Sequence, residues 1–251
     1  MMNQMTDQKS NKVIRGKRED RGFYDNSPEI VSEFSDKVIL VNKPLLWTSA
    51  HTLNVLKREW GIRKAGHAGT LDPMAEGLLV VCTGKMTKKI TAFIDSEKEY
   101  EGIIRMGART ESYDSETKEL DVVDTSHVTD KMIDDATRQF TGNFLQLPPM
   151  HSAIKYKGKP LYKLARKGKE IKREPRKVFV SSFDTQRISE NEIKFKIVCS
   201  KGTYIRSIAN DFGEEIGVGG YLKYLKRTRI GDFSLENLKA KSGEVYYRIC
   251  E

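Results

Sequence analysis

The chain has 251 residues and a formal net charge of +9, with 38% hydrophobic and 31% charged residues. That length can bury a sizeable core, no apolar run approaches the roughly 18 residues of a membrane span, and the polar N-terminus lacks the apolar stretch of a secretory signal. The three cysteines, Cys82, Cys199 and Cys250, are far apart and share no metal-ligand spacing with the four histidines, so a reduced, cytoplasmic protein without a metal centre is expected.

Residues 1–36 mix both charge signs without hydrophobic periodicity and read as a flexible, charged extension. A β run over 38–41 opens the ordered part, which is taken as one domain over 37–251, and Lys43-Pro44 ends that run. Ser49 is placed as the N-cap of a helix through Trp60, with Leu53, Leu56 and Trp60 on one face and Gly61 as its stop. A Gly- and His-rich loop over 63–73 follows, then a buried strand over 77–82, a short helix over 87–95 and a strand over 100–106. Thr129 caps a helix through Phe140, closed by Gly142. Strands over 178–183 and 193–198 read as an antiparallel pair, and Ile205, Ile208, Ala209 and Phe212 set the face of a helix over 204–216. Strands and helices mix without strict alternation, so the class is α+β with a central, largely antiparallel sheet flanked by helices.

The charge is concentrated. Between 151 and 177 there are eleven Lys or Arg and two Glu, a local 11 − 2 = +9 that equals the net charge of the whole chain. Lys155, Lys157, Lys159, Lys163, Arg166 and Lys167 belong to this segment, with Tyr156, Leu161, Tyr162 and Leu164 between them. Such a stretch is a footprint for a polyanion, nucleic acid first of all; a solvated lysine-rich loop is the plainer reading.

The run Gly66-His67-Ala68-Gly69-Thr70-Leu71-Asp72-Pro73-Met74-Ala75-Glu76-Gly77-Leu78-Leu79 is the most informative. Its glycines permit backbone that a Cβ would obstruct, and Pro73 restricts Asp72 and stops a helix there. A carboxylate on a stiff loop serves as nucleophile, general base or metal ligand, or is an ordinary Asp-Pro turn.

This run resembles the signature of the TruB family of pseudouridine synthases, and further matches follow in order: Lys98-Glu99-Tyr100, Arg109-Thr110 through Asp114, Gln146-Leu147-Pro148-Pro149 through Lys155, and Gly202-Thr203-Tyr204-Ile205-Arg206. The resemblance covers about 37–233. It implies the pseudouridine synthase fold, with a mixed sheet, and isomerisation of uridine in the T-arm loop of tRNA (position 55) after the base is flipped out. Within it, Asp72 is the nucleophile, Arg206 pairs with its carboxylate, and Tyr100 stacks on the base and moves a proton from C5. Tyr204, Leu225, His67, Lys43 and Asp114 are assigned to substrate binding, and the basic segment to RNA phosphates. The resemblance implies no metal or organic cofactor, and a monomer is expected. A noncatalytic RNA-binding or tRNA-folding module, and an RNA-guided synthase, are the alternatives.

Four residues depart from the family pattern: Leu46 stands where glycine is usual, Asn42 where aspartate is common, and Ala68 and Glu76 where threonines are usual. Only 251 − 233 = 18 residues follow Phe233, too few for the small C-terminal RNA-binding domain that family members often carry.

Overall fold

The computed structural model describes residues 33–236, 238, 240–242 and 244–250. In chain order the elements are β1 (Val38–Lys43), α1 (Ser49–Glu59), β2 (Ala65–Ala68), β3 (Ala75–Thr83), a 3-10 helix (Gly84–Lys89), α2 (Ile90–Asp95) and β4 (Lys98–Met106). Then come α3 (Asp130–Gln139), β5 (Gly142–Gln146), β6 (Lys155–Tyr156), β7 (Lys159–Pro160) and α4 (Leu161–Ala165). The last are β8 (Arg176–Ser189), β9 (Glu192–Cys199), α5 (Ile205–Ile216), β10 (Gly220–Ile230), β11 (Phe233–Ser234), β12 (Ala240–Ser242) and β13 (Val245–Cys250).

One sheet runs β12-β13-β1-β3-β10-β4-β9-β8-β5, with β2 added beside β3 and β11 beside β10. Among the strands of the described residues only β3–β10 pair in parallel; the expected α+β class with a largely antiparallel mixed sheet is what forms. The apolar runs of β1 and β3 arise because both faces are covered. Ile39, Val41, Leu79 and Val81 pack with Leu56 of α1 and Trp60 at its C-terminal cap, while Val38, Leu40, Leu78 and Val80 face a second cluster with Ile90 and Phe93 of α2. Over the other half, Ile133 and Ala136 of α3 and Ile208, Ala209 and Phe212 of α5 pack on Ile104, Phe183, Ile193 and Phe195.

Several boundaries differ from expectation for identifiable reasons. The cap of α1 is Thr48, whose side chain accepts from His51 N, because Ser49 is used elsewhere. The loop over 63–73 contains β2, which pairs with β3 from Ala65↔Thr83 to Ala68↔Val80. The helix over 87–95 is a 3-10 turn that becomes α2. The expected extension over 1–36 lies outside the described residues up to 32, but 33–36 form a turn whose Phe34 is buried and stacks on Trp60 at 4.5 Å. Residues beyond Phe233 complete the sheet, β13 pairing antiparallel with β1.

The largest omission is β10. Lys223, Lys226, Arg227 and Arg229 interrupt its apolar pattern, and register shifts at Leu222/Tyr224 and Arg227/Arg229 break the period of two. Yet it is the strand on which the two halves of the sheet meet.

Candidate active site

Asp72 opens a turn between β2 and β3. Its carbonyl accepts from Ala75 N at 3.1 Å, with Pro73 at the second position, where its fixed φ suits a β-turn. The Asp-Pro turn and the presented carboxylate are one feature. The loop is held from behind by Ser49, whose buried hydroxyl accepts from Leu71 N (2.9 Å) and donates to Leu71 O (3.1 Å). A second tie runs from Leu46 N to Pro73 O at 2.8 Å. After the turn, Gly77 lies so close to β10 that a Cβ there would stand 2.3 Å from Arg227 O, and its φ of +106° also requires glycine.

Arg206, in the first turn of α5, reaches across 134 residues of sequence to this loop: its Nε donates to Asp72 Oδ2 at 2.9 Å. Nη1 and Nη2 go to the carbonyls of Ser112 (2.9 Å) and His151 (2.8 Å), which fixes the plane of the guanidinium. The Arg206 side chain is 6% exposed and that of Asp72 is 44% exposed, so the pair is anchored on the arginine side and open on the carboxylate side. The start of α5 is set by Gln146, whose amide donates to Tyr204 O (3.0 Å) and accepts from Tyr204 N (2.8 Å). Asp114 Oδ2 lies 3.5 Å from Arg206 Nε on the buried side. Its Oδ1 accepts from the Ser112 hydroxyl (2.6 Å) and Glu116 N (2.9 Å). Burial raises the Asp114 pKa, against the opposing pull of Ser112 and Arg206.

The facing wall comes from the sheet. Tyr100 on β4 is buried, directly opposite Arg227 on β10, and Leu225 stands two residues along that strand. Burial raises the pKa of Tyr100 and of Tyr204. Lys98, also on this wall, donates to Phe93 O and Ser96 O, and its pKa falls from 10.5 to about 8, through burial first and then the neighbouring Arg227. Asp72, Arg206, Tyr100, Tyr204, Leu225, Lys98 and Arg227 enclose a cavity of about 260 Å³. A carboxylate fixed on one side, two tyrosines and an apolar leucine suit a planar, partly polar ring.

The TruB family pseudouridylate synthase model (N terminal domain) matches residues 57–205. The chain belongs to this family. It is 49% identical over 209 residues to tRNA pseudouridine synthase B of Chloroherpeton thalassium, covering 81% of this chain and 87% of that one. The enzyme of the same name from Flavobacterium johnsoniae is 46% identical over 80% of this chain and 91% of its own length. Among solved structures, a chain of a Cbf5-Nop10-Gar1 complex superposes with a TM-score of 0.64 at 27% identity; it covers 82% of this chain, which spans about half (52%) of that one.

Three residues assigned to substrate binding through the TruB resemblance are not on the cavity wall. Lys43 is fully buried and its Nζ donates to Pro44 O (2.8 Å) and Trp47 O (2.6 Å), stapling the loop before α1. Asp114 sits behind Arg206, lining only a small cleft beneath it. His67 lies on β2, opposite Val81 and outside the cavity lining, its pKa lowered by burial and then by Arg227. Arg227, Lys98, Ser49 and Gln146 were not singled out as site residues; a cross-strand position opposite Tyr100 would have pointed to Arg227 had β10 been recognised.

The departures from the TruB pattern have local accounts. Glu76 accepts from the Tyr224 hydroxyl at 2.6 Å. Ala68 is fully buried in the cluster between β1, β3 and α2. Leu46 keeps the left-handed backbone that glycine favours, with φ +67°. Nothing in the structure explains Asn42. The basic segment forms the β6–β7 hairpin, turned at Lys157 and Gly158 (φ +47° and +78°), and α4. Lys155, Lys157, Lys159, Lys163, Arg166 and Lys167 are all exposed, and Arg166 pairs with Glu116 at 2.7 Å.

Proposed function

We infer that the protein isomerises uridine to pseudouridine in the T-arm loop of tRNA, with Asp72 as nucleophile. The observation that carries this reading is the Asp72 carboxylate, held through one oxygen by Arg206 and open to a cavity walled by Tyr100, Tyr204 and Leu225. The relatives named tRNA pseudouridine synthase B supply the substrate class.

The reaction breaks the C–N link between base and ribose, turns the uracil and joins its C5 to the same ribose carbon. Arg206 keeps Asp72 aimed during these steps, since a charge-assisted hydrogen bond from a guanidinium fixed at three points leaves the carboxylate little freedom. Tyr100 stacks on the flipped base and takes the C5 proton, while Tyr204 and Leu225 confine the ring. The exposed lysines and arginines from Lys155 to Lys167 hold phosphates and set register without reading sequence. Lys43 and Asp114 act one step back, Lys43 through the loop before α1 and Asp114 through Arg206. The protein acts as a monomer in the cytoplasm, without metal or organic cofactor.

The test is tritium release from tRNA carrying uridine labelled at C5, comparing the parent with Asp72→Ala. Release by the parent alone, mapped to the T-arm loop, is expected. Release by both overturns the role of Asp72; binding without release by either moves the reading to a noncatalytic RNA-folding module. Activity only on addition of a guide RNA moves it to an RNA-guided synthase.

A further inference from the structure

Arg227 is among the largest fully buried side chains, at 1% exposure. Its Nε donates to Leu78 O at 2.8 Å and one terminal nitrogen to Gly69 O at 3.1 Å. Among the described residues no carboxylate lies within ion-pair distance of it, so its charge is held by carbonyls alone. A guanidinium has five N–H donors, so these two bonds leave others uncommitted, and Arg227 lines the cavity. Directly across the ladder stands Tyr100, which lines the same cavity. Gly69 belongs to the loop that carries Asp72. One side chain therefore touches both halves of the site.

We propose that Arg227 is a positioning residue that holds the Tyr100 hydroxyl as the acceptor of the C5 proton while tying the Asp72 loop to the sheet. It rests on the reading of Tyr100 as the group that takes that proton. An arginine cannot accept a hydrogen bond, so whatever it gives Tyr100 is donated to the phenolic oxygen. That donation, and the fixed positive charge, favour the phenolate over the phenol. In the final step the C5–H bond breaks, its proton goes to the phenolate oxygen, and its electron pair restores the double bond of the ring. Burial raises the Tyr100 pKa and Arg227 is the largest opposing influence. The other groups facing Tyr100 are Cys199 of β9 and Asp72, which both oppose the phenolate. Lys98 of β4 and Arg206 of α5 share the cavity wall.

The test uses the full chain with Arg227→Met and Arg227→Lys, in single-turnover reactions on tRNA with protium or deuterium at uridine C5, across neutral to alkaline pH. The expected result for Arg227→Met is tRNA affinity close to the parent's and a rate lower by about 100-fold, the scale of a lost proton-transfer aid. A deuterium isotope effect should emerge, and the rise of rate with pH should move to higher pH. Arg227→Lys, which keeps a cation, should recover most of the rate and the parent's pH profile. Full activity of Arg227→Met overturns the proposal. So does a rate loss equal for protium and deuterium with an unmoved pH profile, since that is loop anchoring alone. Tyr100→Phe is run beside them: if it keeps the parent's rate, the reading of Tyr100 itself falls, whatever Arg227→Met does.

Discussion

Two buried arginines line the same cavity, and their charges are compensated in opposite ways. Arg206 meets two carboxylates, Asp72 at 2.9 Å and Asp114 at 3.5 Å, as well as two carbonyls. Arg227 meets two carbonyls and stands across the ladder from Tyr100. The loop-and-helix side of the site is thus an ion network, whereas the sheet side is a positive wall with no carboxylate within ion-pair distance among the described residues. Lys98 adds to that wall by the same device, its ammonium held by the carbonyls at the end of α2. An ion network fixes geometry; an uncompensated buried cation sets a potential, and it acts most strongly on the group beside it, here Tyr100.

The comparison predicts unequal responses to removing each cation. Arg206→Met leaves the buried Asp114 carboxylate without its counter-charge and should lower unfolding free energy by about 3–5 kcal/mol, with loss of turnover. Arg227→Met strands no carboxylate, only two carbonyls, and should lower it by about 1–3 kcal/mol. Urea denaturation of the two variants checks the order, and equal losses would show that Arg227 has a counter-charge after all. Asp114→Asn falls between, because Arg206 keeps Asp72. Its expected signature is a lower kcat with tRNA affinity unchanged, measured by single-turnover rates and filter binding; weakened binding alone would instead make Asp114 a substrate contact.

The same division decides what could be read from the sequence. The Asp72 loop was legible because it is local: a turn residue, a proline and spaced glycines within one run. The α5 helix was legible because Ile205, Ile208, Ala209 and Phe212 repeat at helical spacing and are all buried. What places Arg206 against Asp72 is a contact over 134 residues, visible only through the family pattern. The sheet side was illegible for a physical reason. A strand that carries a buried arginine at the cavity and two irregular registers shows neither an apolar run nor a clean alternation. The place of Lys43 was illegible for a related reason: a lysine beside Pro44 looks exposed, but it is buried and its ammonium donates to carbonyls inside its own loop.

Carbonyl-compensated lysines also leave a mark on stability against pH, smaller than the substitutions above. Burial lowers the pKa of Lys43 and of Lys98 from 10.5 to about 8. Between these values the unfolded chain binds more protons than the folded one, so these two groups make stability rise with pH from about 8 upward. Burial raises Cys82 from 9.0 to about 11 and Cys199 from 9.0 to about 12. Above pH 9 the folded chain therefore keeps protons that the unfolded chain loses, and the trend is opposed. The urea midpoint should climb between about pH 8 and 9 and then flatten. Lys98→Met should remove about half of that climb, by the same linkage; a parent midpoint that falls across this window would mean the two ammonium groups are better compensated than their carbonyl contacts suggest.

The smallest effect tests the ion-network side, where the Asp72 loop is tied to the chain before α1. Leu46 donates to Pro73 O at 2.8 Å from a left-handed backbone, φ +67°, with 68% of the residue exposed. A leucine there bears a Cβ clash of about 1–2 kcal/mol that glycine avoids, while glycine loses about 0.4–1 kcal/mol through the freer unfolded chain. Leu46→Gly should therefore stabilise by up to about 1 kcal/mol, because little apolar burial is given up. Leu46→Ala keeps the Cβ and should not gain, so a thermal melt of the two separates backbone strain from side-chain contact. Should both variants be destabilised alike, the exposed leucine is packing on the loop it braces, and the Asp72 side is held by more than its ions and backbone bonds.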